Sequence, residues 1–319
     1  MSNEAGPVVL FGGGGFLGRV VAQDLLKQGH AVRIAQRNPR QAYQVRLGRL
    51  GLVQFAACDI TDAAQVARVL EGASAAINLV GLLKGGMRGA HVDGAANIAK
   101  AAAAAGLGTL VHVSAIGADP ESSSAYGRTK GEGEAAVRAA FPAATILRPS
   151  ILFGQNDQFT NRFADLISTA CSMPLVHAVP VVRGATKLQP VDVADVARAI
   201  AMAVAGPGRF GGETYELGGP DAMTMSEILH WIAQEIGRCP GFLPLPDTVA
   251  RLIATLTGWA PGAPITLDQY RMLLKDNVVS AGASGFADFG IRPAPMAALA
   301  PAWLTRYRRN GRFAKPASA

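Results

Sequence analysis

The sequence predicts an α/β protein in which a doubly wound parallel sheet carries a smaller, mainly helical C-terminal lobe. Apolar runs of strand length recur about every 20 to 30 residues up to residue 219. Helical patterns of about 12 residues lie between them, so consecutive strands are joined by right-handed crossovers and run parallel. Beyond that point two capping-box patterns, Thr224-x-x-Glu227 and Thr266-x-x-Gln269, each open a helix with apolar spacing.

The first strand and the turn after it set the chemistry. Val8-Val9-Leu10-Phe11 runs into Gly12-Gly13-Gly14-Gly15-Phe16-Leu17-Gly18 and then into a helical pattern from Arg19 to Lys27. Glycines let the main chain turn tightly and approach a pyrophosphate, and the helix start at Phe16 and Leu17 offers free N–H groups to its oxygens. Gly13, Gly15 and Gly18 satisfy G-x-G-x-x-G, the dinucleotide fingerprint, and the sheet it opens is then Rossmann-type. Four glycines in a row also suit a flexible loop; the strand before and the helix after favour the nucleotide.

The second strand, Ala31 to Ala35, ends at Gln36-Arg37-Asn38-Pro39, where cofactor choice is made. NAD binding places a carboxylate about 20 residues past the glycines, whereas an Arg there accommodates the extra phosphate of NADP. Arg37 stands 19 residues after Gly18, and no Asp or Glu occurs between Asp24 and Asp59, so NADP(H) is expected. Arg40 has the chemistry to share the phosphate, and a plain surface role remains open for Arg37. A third strand over 52–57 delivers Asp59 and Ile60 to the adenine side and Asp62 to the next helix as its cap. A fourth, over 75–80, ends in Asn78-Leu79-Val80-Gly81, with Val80 and Gly81 close to the cofactor. An Ala-rich helix over 91–105 and a fifth strand over 109–114 follow.

Tyr126 and Lys130 are four apart at the start of the next helix, a spacing that stacks phenol and ammonium on one face. The cation is expected to favour the phenolate, and such a Tyr exchanges a proton with a carbonyl or alcohol while a nicotinamide exchanges hydride. Ser114 is the candidate third member. It is followed by Ala115-Ile116-Gly117, so the hydroxyl cluster is thin, and a hydrogen bond from Ser114 to the main chain is an equal alternative.

The chain has 319 residues, half of them hydrophobic, with 37 glycines in no fixed period and no internal repeat. That suits a nucleotide domain over 1–218, with a lobe-forming excursion around 150–187, and a C-terminal lobe over 219–319. Net charge is +7, much of it in a tail holding Arg306, Arg308, Arg309, Arg312 and Lys315 without an acid. Such an end fits an acidic partner surface or anionic lipid headgroups better than a nucleic-acid groove, and equally fits a solvated end. Cys58, Cys171 and Cys239 are scattered, which indicates neither zinc nor a disulfide framework and makes a reducing compartment the default. Met1 to Pro7 has the build of neither a secretory signal nor a transit peptide, and no run reads as a membrane span. The apolar stretch 249–259 is expected in the core of the lobe, with a partner or membrane face as the alternative.

Several motifs carry a family resemblance. Gly12, Gly15 and Gly18 form the G-x-x-G-x-x-G variant of the short-chain dehydrogenase/reductase superfamily, and Tyr126-Gly127-Arg128-Thr129-Lys130 resembles the catalytic signature of its extended members. Arg148-Pro149-Ser150-Ile151-Leu152-Phe153-Gly154 resembles their crossover to the substrate lobe, with Pro149 at the cofactor. Leu188-Gln189-Pro190-Val191-Asp192 and Tyr215-Glu216-Leu217-Gly218-Gly219 extend the likeness over 8–219. Asp157-Gln158-Phe159-Thr160-Asn161-Arg162-Phe163, Phe289-Gly290-Ile291-Arg292-Pro293 and Trp303-Leu304-Thr305-Arg306-Tyr307-Arg308 are similar to the short-chain dehydrogenase-like accessory subunits of respiratory complex I. The resemblance implies a protein that holds NADP(H), assembles with other complex I subunits and stands outside the electron path. It would sit peripherally on the cytoplasmic face of a bacterial inner membrane, or the matrix face of a mitochondrial one. An active NADP-dependent reductase, epimerase or dehydratase using Tyr126 and Lys130, or a regulator sensing NADPH, are the alternatives.

Overall fold

The computed structural model describes residues 6–40, 51–173, 177–258, 260, 265–309 and 311. In chain order the elements begin with β1 (Val8–Phe11), α1 (Phe16–Lys27), β2 (Val32–Gln36), β3 (Val53–Ala57), α2 (Ala63–Leu70) and β4 (Ala75–Asn78). They continue with α3 (Gly94–Ala104), β5 (Leu110–Val113), α4 (Ala125–Ala140), β6 (Thr145–Pro149), β7 (Leu152–Phe153), α5 (Thr160–Ala170), β8 (Ala178–Val182), β9 (Lys187–Leu188) and β10 (Val191–Asp192). Next come α6 (Val193–Ala205), α7 (Pro207–Phe210), β11 (Thr214–Leu217), β12 (Met223–Thr224), α8 (Met225–Glu235) and β13 (Gly241–Leu245). The last are α9 (Asp247–Thr257), α10 (Leu267–Met272), α11 (Met296–Leu299) and α12 (Pro301–Leu304).

These elements group into two compact units, one of residues 1–149, 193–217 and 280–292, the other of 150–192, 218–279 and 293–319. The first is built on a seven-stranded sheet in the order β11-β6-β5-β4-β1-β2-β3, every pairing parallel. Strands β1 and β4 are buried along their whole length, as strands covered on both faces must be, and this is why they read as unbroken apolar runs. Helices α2, α3 and α4 cover one face, setting Val66, Leu70, Ile98 and Val137 against Val9, Phe11, Ala76 and Leu110. Helices α1 and α6 pack together over the other face, toward which alternation turns Leu10 and Ile34. The strand order reverses between β1 and β4, which pair Phe11 with Asn78 at their C-terminal ends. A crevice opens at such a switch point, and the loops after both strands lead into it.

The sequence places residues past Gly218 in the lobe, but Ser280–Arg292 belongs to the first unit. Its reason is the open edge of β11. Glu216 N–H donates to Ser284 O at 2.8 Å, and the Glu216 carboxylate accepts from Ser280 N–H at 2.8 Å. Phe289 stacks on Phe210 with ring centroids 4.5 Å apart and meets Tyr215 edge-on at 4.8 Å. An edge strand left bare is a template for pairing with another chain, and this segment occupies it. Behind β11, Arg148 grips the buried Glu134 of α4 through two hydrogen bonds, 2.9 and 2.7 Å, and reaches Glu216 at 3.6 Å.

The second unit has short strand pairs, β7 with β10, β9 with β12 and β8 with β13, around a core that includes Phe153, Ile167, Val179, Ile228, Leu229, Ile232 and Leu304. Both capping boxes form, at Thr224 with Glu227 and at Thr266 with Gln269. Asp157 is buried and accepts hydrogen bonds from the main chain of Gly154, Phe159 and Asn161 and from the Thr160 hydroxyl. Trp303 Nε1–H then donates to Thr160 at 3.2 Å, and Arg306 to Asn161 at 2.6 Å. The two signature motifs around 157–163 and 303–308 are thus one hydrogen-bonded cluster.

Two expectations need correcting. The helix predicted over 91–105 begins instead as a wide π turn over Gly89–Asp93 before α3. Helix α9 is not core: only Ala250 and Ala254 are buried, while Leu252 and Leu256 are 58% and 63% exposed. Its mostly apolar composition pointed to the core of the lobe, yet both leucines are exposed; Trp259 lies outside the described residues. Arg312 and Lys315 of the basic tail also lie outside them. No helix among the described residues is long and apolar enough to cross a membrane.

Removing the Phe289 ring leaves a cavity between Phe210 and Tyr215. Phe289→Ala is expected to lower stability by about 3 kcal/mol or more, read from the midpoint of urea unfolding.

Candidate functional site

The turn after β1 is built by contacts that exclude side chains. Gly12 has φ +79, a left-handed conformation, and a Cβ on Gly18 would lie 2.6 Å from both Gly12 O and Gly13 Cα. Main-chain atoms cannot swing aside, so only glycine lets α1 start this close to the end of β1. The first turn of α1 leaves the N–H groups of Phe16 and Leu17 outside the helical ladder, facing the mouth of the turn. Gly15 is exposed there, while Gly13 and Gly18 are buried against the sheet.

One residue that sequence reasoning passed over holds the turn from the side. Gln36, the last residue of β2, accepts Gly14 N–H on Oε1 at 3.1 Å, and its Nε2 donates to Asn38 O at 2.5 Å. It stands at the strand end where a carboxylate would serve NAD. The signal was present in its position beside Arg37, but its partner is 22 residues away. Arg37 and Arg40 are exposed, and the Arg37 charge helps hold the Asp59 carboxyl below its usual range. The larger cause there is Thr61, whose N–H and hydroxyl donate to Asp59 Oδ1 at 3.0 and 2.7 Å. Asp62 caps α2 as expected, accepting from Ala64 and Gln65. Ile60 is buried, its side chain filling the space that a Cβ on Gly94 would take.

On the other side of the switch point, Asn78 Oδ1 accepts Val80 N–H at 3.1 Å and shapes the loop that follows β4. Lys130 is buried beneath this loop. Its ammonium donates to Val113 O at 3.0 Å and to Val80 O at 3.4 Å, and a Cβ on Gly81 would lie 3.7 Å from Nζ. Ser124 caps α4 through Gly127 N–H, which sets Tyr126 and Lys130 on adjacent turns. The spacing sets both residues on one side of α4, but the electrostatics differ from expectation. Burial pushes the Tyr126 phenol up to about 12, whereas the expected effect of the cation was to lower it. The Lys130 ammonium is directed at main-chain carbonyls, and burial lowers it to about 8 although Glu134 opposes the shift.

Ser114 ends β5 with its Oγ buried and without a hydrogen-bond partner, so the alternative of a bond to the main chain is not realised. His112, two residues earlier on the same face, is fully buried. Since Asn78 uses Oδ1 on Val80, its Nδ2 must donate to His112 Nδ1 at 3.1 Å. The neutral His112 then carries its proton on Nε2, which also has no partner. Two buried polar atoms left open on one face at the sheet's end are a cost that a bound polar group would relieve. Pro149 closes the wall at the end of β6, its carbonyl accepting from Ile116 N–H at 3.1 Å.

A dinucleotide fits these residues. The glycine turn and α1 start suit a pyrophosphate, the Asp59 oxygen not used by Thr61 suits an amino group, and the third N–H of Lys130 suits a ribose hydroxyl. Among the described residues no three His, Cys, Asp or Glu side chains gather as a metal site would.

His91 and His112 are both lowered from 6.5 to about 3, by burial first and the Lys130 charge second. Their folded pKa values lie below the unfolded value, so the unfolded chain takes up protons first as pH falls. Stability is then full above about pH 6.5 and declines toward about pH 3, by up to about 1.4 kcal/mol per pH unit for each histidine. Urea midpoints across that window should show the slope, reduced by about half in His112→Gln. Gly18→Ala forces the turn open and is expected to abolish dinucleotide binding in a calorimetric titration.

Comparison with known proteins agrees with this geometry. The model of the NAD dependent epimerase/dehydratase family matches residues 8–218. The mitochondrial NADH dehydrogenase [ubiquinone] 1 alpha subcomplex subunit 9 of Arabidopsis thaliana is 32% identical over 318 residues, covering 95% of this chain and 78% of that protein. A ceramide reductase of Caulobacter vibrioides is 30% identical over 253 residues, covering 77% of this chain and 76% of that one. The NADPH-dependent quinone oxidoreductase QOR2 of Escherichia coli, solved with NADPH, shares the fold with a TM-score of 0.75 at 19% identity, over 93% of this chain and 99% of its own. The chain therefore belongs to the NAD dependent epimerase/dehydratase family of extended short-chain dehydrogenases/reductases, and its likeness to the respiratory subunit runs through both of its units.

Proposed function

We propose that the protein is an accessory subunit of respiratory complex I that holds NADP(H) as a lasting ligand, peripheral to the inner membrane and in contact with other complex I subunits. The observation that carries this reading is the near full-length likeness to the subunit 9 protein, to which the 157–163 and 303–308 motifs, one cluster in the second unit, add their own resemblance. In this reading Gly12, Gly13, Gly15 and Gly18, with the N–H groups of Phe16 and Leu17, hold the pyrophosphate. Arg37 pairs with the 2′-phosphate, which the neutral Gln36 does not repel as a carboxylate would. Asp59 and Ile60 receive the adenine; Val80, Gly81, Ser114, Tyr126, Lys130 and Pro149 surround the nicotinamide ribose. In this reading an acidic partner or anionic headgroups meet the basic end at the exposed Arg309, since Arg306 and Arg308 are already engaged by Asn161 and Glu235.

The electrostatics favour holding over turnover. A phenol raised to about 12 is a reluctant proton donor and a scarce phenolate at neutral pH. A second reading, a reductase, is supported by the Caulobacter relative. In that case a bound nicotinamide would supply hydride, while Tyr126 would give its proton to a carbonyl oxygen, Ser114 would hold that oxygen and Lys130 would orient the ribose.

Affinity isolation from membranes separates the two: co-purification with complex I subunits supports the first, and recovery as a free protein without them would sink it. NADPH oxidation by a ketone substrate, lost in Tyr126→Phe while NADPH still binds, would establish the second. Arg37→Asp should weaken NADPH binding by about 10- to 100-fold, the loss of a charge-assisted hydrogen bond, and NADH binding far less. Equal losses in parallel titrations would refute the phosphate assignment.

A further inference from the structure

We propose that His91 is a positioning residue of the cofactor site, one that fixes Gly81 in the loop after β4 in partnership with Lys130. The inference rests on the NADP(H)-binding reading of that site. His91 is 2% exposed and lies in the π turn that precedes α3, a local departure from α-helical geometry that recurs at functional sites.

Its ring is hydrogen-bonded at both nitrogens, and the partners dictate the tautomer. Leu82 N–H has only a donor to offer, so His91 Nε2, at 2.9 Å, must be the unprotonated acceptor. The neutral ring then carries its proton on Nδ1 and donates it to Thr129 Oγ1 at 2.8 Å. Thr129 in turn gives its hydroxyl hydrogen to Ala125 O at 2.8 Å or Tyr126 O at 3.2 Å. Every hydrogen has one acceptor, and the chain closes. The ring also meets Tyr126 edge-on, with centroids 5.6 Å apart. Gly133 of α4 makes the approach feasible: a Cβ there would fall 2.1 Å from His91 O.

Two anchors consequently bracket Gly81. On one side the Lys130 ammonium holds Val80 O; on the other His91 holds Leu82 N–H. Both anchors also reach α4, directly for Lys130 and through Thr129 for His91, so the loop and the helix bearing Tyr126 are set as one surface. A glycine fixed on both sides loses little conformational freedom when a ligand packs against it. Without the His91 anchor that loss falls on binding.

The test compares wild type, His91→Phe and His91→Gln by NADPH titration, followed by the fluorescence of the bound nucleotide, and by amide hydrogen exchange at Leu82 in the free protein. His91→Phe retains a ring against Tyr126 but neither hydrogen bond. It should raise the NADPH Kd about tenfold and speed Leu82 exchange, while His91→Gln, whose amide oxygen can accept from Leu82, restores most of both. Unchanged affinity in His91→Phe, or no recovery in His91→Gln, overturns the proposal. Should His91→Phe fail to fold, the imidazole nitrogen shifts of wild type decide: protonated Nδ1 with bare Nε2 is required, and the opposite tautomer refutes it. A wild type that ignores NADPH would instead sink the cofactor reading, leaving the tautomer and exchange results to stand for the loop alone.

Discussion

The close approach of Gly18 to the main chain of Gly12 and Gly13 is the contact on which the rest of the first unit depends. It sets the distance from the end of β1 to the start of α1. Packed there, α1 lies against α6 and begins directly after β1, one of the two strands between which the strand order reverses. The same economy recurs in α4, where Gly127, Gly131 and Gly133 let the loop before the helix and the π turn come within touching distance of its axis. Four glycine contacts thus do what larger side chains would prevent: they bring polar main chain, a phenol and an ammonium around one crevice.

Much of this was legible because it is local. A strand, a glycine turn and a helix are adjacent in sequence, Tyr126 and Lys130 are one helical turn apart, and a capping box is closed by residues three apart. The family resemblance extended the reading to the second unit, and the hydrogen bonds from Trp303 and Arg306 to the 157–163 motif give it a physical cause. What escaped was settled by distant partners. Gln36 acts on Gly14, and the Lys130 ammonium turns to Val80 and Val113, so helical spacing located that cation without revealing its direction. Helix α9 shows the same limit for apolar residues: composition marks an apolar stretch, and only the fold says whether anything covers Leu252 and Leu256.

The buried polar groups beneath the crevice are organised to stay neutral or satisfied. His91 and His112 remain uncharged beside an ammonium, and Arg148 meets two carboxylates. In a low-dielectric interior such a network is stable only if each proton has an assigned place. The exceptions are Ser114 Oγ and His112 Nε2, two residues apart at the C-terminal end of β5. In the first unit these are the two buried side-chain atoms among the described residues without a partner, and Arg183 Nε and Arg238 Nε are the two in the second.

The segment Ser280–Arg292 has a consequence for how the chain is made. The polypeptide passes between the two units at residues 149, 192, 217, 279 and 292, so neither is contiguous in sequence. During synthesis the sheet of the first unit emerges with β11 as an open edge, and the residues that close it arrive only after residues 150–192 and 218–279 of the second unit have been made. In order of synthesis, therefore, neither unit has all of its residues until position 292 is reached. The nascent protein must carry β11, paired with β6 on one side only, while residues 218–279 are made, a period when early binding of a nucleotide at the N-terminal turn, or a chaperone at the edge, would matter most.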